Sequence, residues 1–467
     1  MKNKRKFWIT KALGVAVGVS YLAAATSVVL LDIIPNKFLY VLIPLSFLIM
    51  GALTWANLKH RWTKKWKTTL LILVSLMAVI LNIYVLAASL STRSFLGDLQ
   101  GCRDESYSII TKKDSSTQTT SNNLSIAYIQ TDPNNEAVLQ MAKAKTTAEP
   151  KSYNDLKDVT SALNSLKTNS AVVRDSYLAL LEQNDPNTYT NIKVLETFKV
   201  KSQSCKDSAK VNLNEPYIVY ISGIDTYGNV EAVSRSDVNI LMVVNPKTHK
   251  ILLVNTPRDY YVQLHGTTGS KDKLTHAGIY GVDMSKSTLE DLYGVKIGYD
   301  LRINFTSLTK IIDALGGVNV NSDQAFQAGG YTFTEGYNEM DGKEALAFSR
   351  ERYSFAEGDR TRGKNQQRVI EAIIAKSASP QTVLKYQSIL KSLDNTFQTN
   401  ASRDDITAIL KQQADNVGKW QVESISVDGT GSTDVTYSMG DLPLYVMIPD
   451  QTSLDTAKAK IHSYLQK

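Results

Sequence analysis

Cysteine and histidine are scarce in this 467-residue chain, which has two cysteines and five histidines. No group of cysteines and histidines has the spacing of a zinc site, so a zinc-stabilised fold is not predicted. The chain also lacks a GxxxxGK(S/T) phosphate-binding loop, which disfavours a nucleotide-driven motor or kinase. His265 and His276 have no nucleophile paired with them in the sequence, so a structural or exposed position is favoured over a catalytic role for both.

Acidic residues are almost absent from the first 95 residues. This segment holds twelve of the 52 lysines and arginines but only one of the 45 acids, Asp32. It therefore carries a formal charge of +11, and the rest of the chain carries −4, which together give the net charge of +7. Proteins that bind nucleic acid usually carry a basic surface on the folded domain itself. This charge distribution therefore disfavours a nucleic-acid partner.

Three stretches of the same segment contain no charged residue at all. They are residues 12–31, 38–58 and 68–91, of 20, 21 and 24 residues. Each is long enough to cross a hydrocarbon core of about 30 Å as an α-helix. Buried helices of a soluble domain are the alternative, but they would leave too little polar sequence to cover them. We therefore predict that residues 1–95 form a membrane anchor with three transmembrane helices.

Basic residues flank these spans unevenly. One base, Lys37, lies between the first two spans, whereas five bases precede the first span and five lie between the second and third. Lysine and arginine collect on the cytoplasmic side of a membrane. The sequence thus predicts a multi-pass protein of the cell membrane with a cytoplasmic N-terminus, and everything after about Leu90 is predicted to be extracellular. A cleavable signal peptide is disfavoured because two spans would still remain.

Both cysteines, Cys102 and Cys205, fall in the predicted extracellular part, where an oxidising environment permits a disulfide. A bridge is favoured over two unrelated thiols because no third cysteine competes. Such a bridge would stabilise the protein by about 2–4 kcal/mol. Thiol titration of the unfolded, non-reduced protein is expected to give no signal, and two reactive thiols per chain would exclude the bridge.

Residues 98–212 are predicted to form a small α+β accessory domain. Within it, the Ser/Thr-rich residues 108–123 have the composition of a solvated loop. Apolar residues recur at three- and four-residue spacing along 151–184, which predicts helix. Residues 192–201 are predicted to be a strand.

Residues 213–467 are predicted to form a catalytic domain of the α/β or α+β class, with a central mixed β-sheet flanked by helices. Short runs rich in β-branched residues predict strands at 217–225, 238–244 and 250–257, the last two joined as a hairpin. Helical apolar spacing follows at 308–317 and 366–376. The first of these helices ends in Leu-Gly-Gly, which supplies the glycine expected just beyond a helix.

Charged groups lie at the ends of these predicted strands and before the last helix. Asp225 follows the first strand, an Arg-Ser-Asp group at 235–237 precedes the second, and Pro-Arg-Asp at 257–259 follows the third. Residues 350–368 contain six lysines and arginines. Each group alone is explained by ordinary solvated charge. Together, two carboxylates that can share a hard cation and several arginines that match phosphate oxygens favour a site for a polyanion and a metal.

Residues 221–376 resemble the catalytic domain of the LytR–CpsA–Psr family. The motifs that match in order and spacing are GID at 223–225, RSD at 235–237, PRD at 257–259, KLTHA at 273–277, IDALGGV at 312–318, DGKEALAFSRER at 341–352 and GDRTRGKNQQR at 358–368. The three spans and the extracellular segment before this region are similar to the capsule-type branch of the family, of the kind found in streptococci. One departure concerns KLTHAGIYGVD, where the family usually has Asn before the His and a Gly-Gly pair further on. It bears on local loop shape and not on the charged site.

This resemblance implies a transferase that moves a glycopolymer, capsular polysaccharide in the capsule-type branch, from a polyprenyl-pyrophosphate carrier to peptidoglycan through a phosphodiester bond. It implies metal ligation, by Mg²⁺ or Mn²⁺, at Asp225 and Asp237. The residues that it implies for pyrophosphate binding are Arg235, Arg258, Arg350, Arg352, Arg362 and Gln366. Those with expected catalytic roles are Arg235, Arg258 and Asp359. The identity of the general base stays open.

Two other classes of function stay open. One is a membrane-bound regulator that attenuates capsule expression, although the predicted cytoplasmic loops are too short for direct DNA binding. The other is a non-catalytic scaffold that holds other proteins of the capsule assembly machinery. Alanine substitution of Arg258 or Asp237 would separate an enzyme from a scaffold.

Overall fold

The computed structural model describes residues 2–59, 65–98, 104–113, 211–225, 234–377, 389, 397–415 and 420–466, and all of 125–201 except 131, 133, 147, 155 and 185. Two compact units make up the chain. The first comprises Met1–Gln100, Ser377–Asp394 and Ser402–Lys419, and the second comprises Gly101–Lys376, Asn395–Ala401 and Trp420–Lys467. Cys102 and Cys205 lie outside the described residues, so their bridge stays a prediction. The predicted domain boundary at 212/213 also stays a prediction.

The first unit contains the three predicted apolar helices. They are α1 (Lys2–Leu31), α2 (Asn36–Leu58) and α3 (Lys65–Asp98), and each is long and apolar enough to cross a membrane. Asn57 on α2 donates to Ser75 on α3 at 2.7 Å, and Asn82 on α3 donates to Ser20 on α1 at 3.0 Å. Interhelical polar contacts of this kind contribute about 1 kcal/mol each in apolar surroundings.

A further helix of the first unit, α13 (Arg403–Asp415), comes from the C-terminal part of the chain. Its Lys411 Nζ lies 2.7 Å from Oδ1 of Asp32, in the short connection between α1 and α2. This ion pair places α13 at the end of the helices where α1 passes into α2.

In the second unit, residues 104–201 form a five-stranded sheet in the order β3-β2-β4-β1-β5 among the described residues. Its strands are β1 (Asp104–Lys112), β2 (Ile126–Ile129), β3 (Lys151–Tyr153), β4 (Ser170–Arg174) and β5 (Ile192–Lys201). Its helices are α4 (Asn135–Lys145), α5 (Leu156–Asn164), α6 (Asp175–Asn184) and α7 (Pro186–Thr190). The predicted strand at 192–201 is confirmed.

Two predictions for this region were wrong in part. The predicted loop at 108–123 begins inside β1, where Ile109 and Ile110 are buried, and residues 114–124 lie outside the described part. The predicted helix at 151–184 is interrupted by β3 and β4. All five residues of β4 are buried, so its run of β-branched residues fills a central strand rather than one helix face.

A second, six-stranded sheet occupies the rest of the unit in the order β16-β11-β6-β7-β8-β17. Its strands are β6 (Tyr217–Ile224), β7 (Ser236–Asn245), β8 (Lys250–Asn255), β11 (Tyr299–Asn304), β16 (Phe397–Thr399) and β17 (Gln421–Ser426). β6, β8, β11 and β17 run in one direction, while β7 and β16 run antiparallel to them. The predicted central mixed sheet, its first three strands and the β7–β8 hairpin are thus confirmed.

Helices cover both faces of this sheet. α9 (Val282–Tyr293) and α14 (Gln451–Leu465) pack with buried residues of β6, β7 and β8 in one core. The remaining helices are α8 (Leu274–Ala277), a 3₁₀-helix (Gly278–Tyr280), α10 (Phe305–Ala314), α11 (Gly342–Arg350) and α12 (Asp359–Ser377). Gly316 and Gly317 follow α10 with φ of 75° and 85°, as the Leu-Gly-Gly ending predicts.

Short strands complete the described part. They are β9 (Tyr261–Val262), β10 (Asp272–Lys273), β12 (Val318–Ser322), β13 (Phe326–Ala328), β14 (Tyr331–Phe333), β15 (Gly336–Met340), β18 (Gly429–Thr436) and β19 (Gly440–Pro449). They pair as β9–β10, β12–β15, β13–β14 and β18–β19.

A buried ion pair within residues 104–201 is linked to the 3₁₀-helix at Gly278–Tyr280 by a hydrogen bond. Nε of Arg174, at the end of β4, lies 2.6 Å from Oδ2 of Asp132, and its Nη1 donates to the carbonyl oxygen of Tyr280 at 3.0 Å. The Arg174 side chain is 1% exposed. Removing either charge would leave the other buried and unpaired, which typically destabilises a protein by about 3–5 kcal/mol.

Candidate functional site

The predicted site residues meet at one edge of the six-stranded sheet. Asp225 follows β6, Arg235 and Asp237 stand at the start of β7, and Arg258 follows β8. Because β7 runs antiparallel to both neighbours, its start lies beside the ends of β6 and β8. Ligands of open α/β sheets commonly bind outside the carboxyl ends of strands.

A β-bulge places Asp237 at this edge. Gly223 pairs with Val238 and Ile224 pairs with Ser236, so Asp237 is the extra residue of β7. A Cβ atom on Gly223 would lie 2.7 Å from Cβ of Val238, closer than side chains approach. The glycine therefore permits the tight strand pairing at the bulge, and bulges commonly re-aim side chains next to functional sites.

A cavity of about 890 Å³, here called the main cavity, opens at this edge. Eight of the predicted site residues line it: Asp225, Arg235, Asp237, Arg258, Arg350, Arg352, Arg362 and Gln366. Apolar side chains of the sheet and of α10, α11 and α12 form a further part of its wall, including Ile221, Val238, Ile303, Leu308, Leu346, Val369 and Ile370. The main cavity thus combines a charged end with an apolar wall.

Asp359 does not line the main cavity. It lines a smaller adjoining cavity of about 160 Å³, here called the side cavity. Its Oδ1 lies 2.6 Å from Nη2 of Arg362 and 4.0 Å from Nε of Arg258. The structure therefore brings Asp359 close to two of the predicted phosphate-binding arginines.

Arg258 is held among carboxylates. Its Nη1 donates to Oδ2 of Asp237 at 3.0 Å, and its Nε lies 3.6 Å from Oδ2 of Asp259. Burial by itself lowers the pKa of Arg258, but the carboxylates of Asp237, Asp259 and Asp359 offset this and raise it above its ordinary value. The guanidinium is therefore fixed in place and fully charged.

Arg362 has a different electrostatic environment. Burial lowers its pKa, and Asp359 opposes this while the positive charge of Arg258 lowers it further. An arginine stays protonated at neutral pH even so. Two nearby guanidinium groups, one with a lowered pKa, make this end of the cavity favourable for a bound anion.

Arg350 and Arg352 approach from the end of α11. The guanidinium of Arg350 lies 4.2 Å from the ring centre of Phe305, and its Nη2 is 3.8 Å from Oδ1 of Asp225. The guanidinium of Arg352 lies 4.7 Å from the ring centre of Tyr353 and donates to its hydroxyl at 2.6 Å. Contacts with aromatic faces hold both cations at the cavity.

The other basic residues of the 350–368 stretch form ion pairs and do not line the main cavity. Arg360 pairs with Asp428 at 2.7 Å and Lys364 with Glu357 at 3.0 Å. Arg368 pairs with Asp323 and lines neither cavity. The ordinary interpretation of balanced surface charge therefore holds for Arg368, while Arg360 and Lys364 line the side cavity as members of ion pairs. The polyanion interpretation applies to Arg350, Arg352 and Arg362.

Comparison with known sequences identifies the family of this chain. The model of the LytR_cpsA_psr family matches residues 180–460, more than half of the chain. The chain belongs to this family. The resemblance found in the motifs is thereby confirmed.

Two relatives carry the printed name polyisoprenyl-teichoic acid–peptidoglycan teichoic acid transferase TagU. The Enterococcus faecalis protein is 34% identical over 249 residues, which are 53% of this chain and 82% of the relative. The Bacillus subtilis protein is 34% identical over 234 residues, which are 50% of this chain and 74% of the relative. The crystal structure of B. subtilis TagU covers 54% of this chain and 98% of its own at 30% identity, with a TM-score of 0.43.

In this member of the family, the KLTHA motif holds the acidic site residue in place. The hydroxyl of Thr275, on α8, donates to Oδ1 of Asp237 at 2.8 Å, and Lys273 pairs with Asp259. Nδ1 of His276 lies 2.7 Å from Oδ1 of the fully buried Asp272. The structural role favoured for His276 agrees with this contact. The sequence marked the motif but assigned no role to Thr275, Lys273 or Asp259.

The site residues fit a magnesium ion that takes further ligands from a substrate. In the part of the chain that the structure describes, no three His, Cys, Asp or Glu side chains group as a metal site by themselves. Asp225 and Asp237 nevertheless line the same cavity. Mg²⁺ usually takes one or two protein carboxylates and completes its shell with water and phosphate oxygens. Each Asp237 oxygen accepts one hydrogen bond, and a carboxylate oxygen has capacity for a second ligand.

Proposed function

We propose that this protein is a transferase that moves a glycopolymer from a polyprenyl-pyrophosphate carrier to peptidoglycan. The observation that carries the proposal is the composition of the main cavity, where five arginines converge beside a long apolar wall. Guanidinium groups bind phosphate oxygens in pairs, and the apolar wall suits a polyprenyl chain. The printed names of the relatives, teichoic acid transferases acting from a polyisoprenyl carrier to peptidoglycan, support the same class.

We propose capsular polysaccharide as the polymer, because the three apolar helices and the extracellular segment resemble the capsule-type branch. Other proteins of capsule assembly are then expected partners, in addition to the membrane and peptidoglycan. The relatives' names point to teichoic acid as the competing polymer. A parallel assay with both lipid-linked polymers decides between them, since the preferred donor should show the higher kcat/KM.

The reaction needs a displacement at phosphorus. A hydroxyl oxygen of peptidoglycan forms a bond to the phosphorus that carries the polymer, and the bond from that phosphorus to the bridging oxygen breaks. Polyprenyl monophosphate leaves, and the hydroxyl proton passes to a carboxylate. Asp225, Asp237 and Asp359 are the predicted site carboxylates at the two cavities, and which of them accepts the proton stays open.

The arginines stabilise the charge of this displacement. We propose that Arg235, Arg258, Arg350, Arg352, Arg362 and Gln366 bind the pyrophosphate, with Arg235 and Arg258 also acting in catalysis. Donors placed where charge develops commonly contribute 10²–10³-fold in rate. We also propose that Asp225 and Asp237 hold Mg²⁺ or Mn²⁺. A bound ion would supply charge neutralisation at the phosphate oxygens and polarise the attacked phosphorus.

The purified full-length protein tests this function directly. It is incubated with a lipid-linked glycan donor and a soluble peptidoglycan fragment, and the products are separated by mass. The expected products are the glycan–peptidoglycan phosphodiester and polyprenyl monophosphate. Donor binding without transfer, for either polymer, would instead support the scaffold or the regulator of capsule expression.

The proposed site also requires that the C-terminal part of the chain lie outside the cytoplasm. The Lys411–Asp32 ion pair places α13 beside the first connecting loop, which is predicted to be extracellular. A reporter enzyme that is active only outside the cytoplasm, fused after Lys467, is therefore expected to be active. A silent reporter on a well-expressed fusion would contradict the orientation and with it an extracellular transferase.

Thr275→Val is expected to lower kcat by about tenfold while the dissociation constant of the donor stays within twofold. Valine keeps the shape but removes the hydrogen bond to Oδ1 of Asp237, and a hydrogen bond to a charged group is worth about 1.5–3 kcal/mol. Steady-state kinetics and donor titration measure the two quantities. Thr275→Ser retains the hydroxyl and should restore kcat. Equal kcat for the valine and serine variants would show that Thr275 does not position Asp237.

A further inference from the structure

The side cavity shares one wall with the main cavity. The four residues that line both are Asp237, Arg258, Arg362 and Gln366. All four belong to the charged end of the main cavity, and none of the apolar residues from α10 or α11 reaches the side cavity. A pyrophosphate bound at the charged end therefore lies between the two cavities, with its polyprenyl chain on the main-cavity side.

The two cavities differ in charge. Among the described residues, six basic and four acidic side chains line the main cavity, which leaves two positive charges in excess. Four basic and four acidic side chains line the side cavity, which leaves no excess. The main cavity is thus suited to a polyanion, whereas the side cavity is suited to a molecule with little net charge.

The polar groups of the side cavity are arranged in donor–acceptor pairs. Lys364 pairs with Glu357 at 3.0 Å, and Arg360 pairs with Asp428 at 2.7 Å. All four side chains are 44% to 57% exposed, so their remaining hydrogen-bonding capacity faces the cavity and solvent. Sugar hydroxyls both donate and accept, and can therefore bind to the carboxylates and the cations of such pairs together.

The direction from which the acceptor hydroxyl attacks the phosphorus suggests a role for the side cavity in the reaction. In a phosphoryl displacement, the attacking and leaving oxygens lie roughly in line on opposite sides of the phosphorus. Polyprenyl phosphate is the leaving group and its chain lies along the apolar wall, so the attacking hydroxyl must arrive from the opposite side. The side cavity meets the charged end at Arg258 and Arg362 and contains none of the apolar wall residues of α10 and α11, so it offers the acceptor a space away from the polyprenyl chain.

We propose that the side cavity is the acceptor subsite, which binds a hydroxyl-bearing sugar of a peptidoglycan strand through Glu357 and Lys364. This inference rests on the function proposed above. The bound hydroxyl oxygen attacks the polymer-bearing phosphorus, the bond to the bridging oxygen breaks toward the lipid, and the proton passes to a neighbouring carboxylate. Asp359 and Asp237 both line the cavity.

The double variant Glu357→Ala/Lys364→Ala tests the acceptor subsite. In the full-length protein, KM for a soluble peptidoglycan disaccharide-peptide is expected to rise at least tenfold. The dissociation constant for the lipid-pyrophosphate donor is expected to stay within twofold, because neither residue lines the main cavity. Lys143→Ala/Glu149→Ala is the matched control, since it removes an exposed ion pair of 2.8 Å outside both cavities.

The outcomes separate this inference from the proposed function. Wild-type protein that binds donor but transfers nothing contradicts the proposed function itself. If the wild type transfers the glycan and the double variant has an acceptor KM within twofold of the wild-type value, the acceptor subsite is overturned and the proposed function stands. If the double variant loses donor binding, the acceptor KM of the isosteric variant Glu357→Gln is compared with that of the wild type instead. This variant retains the side-chain volume and removes only the charge.

Discussion

Asp237→Ala is expected to lower transfer by about 10³-fold or more and to leave the fold intact. The substitution removes a proposed magnesium ligand and the carboxylate that positions Arg258, and losses of this size are typical when a group that stabilises developing charge is removed. Arg258 keeps Asp259 and Asp359 as neighbours, so no buried charge is left unpaired. Transfer of a lipid-linked glycan to peptidoglycan fragments and thermal unfolding measure the two effects.

The same transfer assay in the presence of EDTA tests whether the reaction requires a metal ion. Wild-type transfer is expected to stop in EDTA and to return with excess Mg²⁺, and Asp225→Ala is expected to behave like Asp237→Ala. Two carboxylates alone form a weak magnesium site, so metal and lipid pyrophosphate should each bind more tightly in the presence of the other. Full activity in EDTA, or full activity of Asp237→Ala, would leave the arginines as the only electrostatic catalysts.

Arg362→Lys is expected to lower kcat/KM by about 10²-fold and to weaken donor binding. Lysine keeps the positive charge but loses the planar fork that binds two phosphate oxygens together. The residue is 13% exposed, so water cannot replace the missing donors easily. Donor titration and steady-state kinetics measure the loss.

Arg368→Lys is the matched control for this substitution. Arg368 lies on the same helix, pairs with Asp323 and lines neither cavity. Its kcat/KM should stay within twofold of the wild type. If the two lysine variants lose activity equally, the effect belongs to helix α12 as a whole and Arg362 is not a specific phosphate ligand.

Much of the six-stranded sheet could be predicted because its strands are local features of the sequence. β6, β7 and β8 are continuous runs of β-branched and apolar residues, and such runs have few alternatives when turn residues flank them. The accessory region was harder. Val173, in β4, also fits a helical spacing with Tyr177 and Leu180, and only the position of β4 between β1 and β2 makes it part of a strand.

The site could be predicted in outline for the same reason. Asp225, Asp237 and Arg258 stand at strand ends, and antiparallel pairing of neighbouring strands brings such ends together. The contacts that hold them could not be predicted. Thr275 lies 38 positions from Asp237 along the chain, and Phe305, on α10, lies 45 positions before Arg350, on α11.

The amino-acid sequence by itself determined the three apolar helices, the strands of the central sheet, the family and the charged residues of the site. These follow from hydrophobicity, β-branching and residue order, which are properties of short segments. Only the tertiary structure decided which arginines of the 350–368 stretch face the main cavity and which pair at the surface, and that Asp359 belongs to a second cavity. The cations come from the end of α11, from the residues that follow it and from α12, and their orientations depend on contacts with distant segments. Such contacts leave no periodic signal in the sequence.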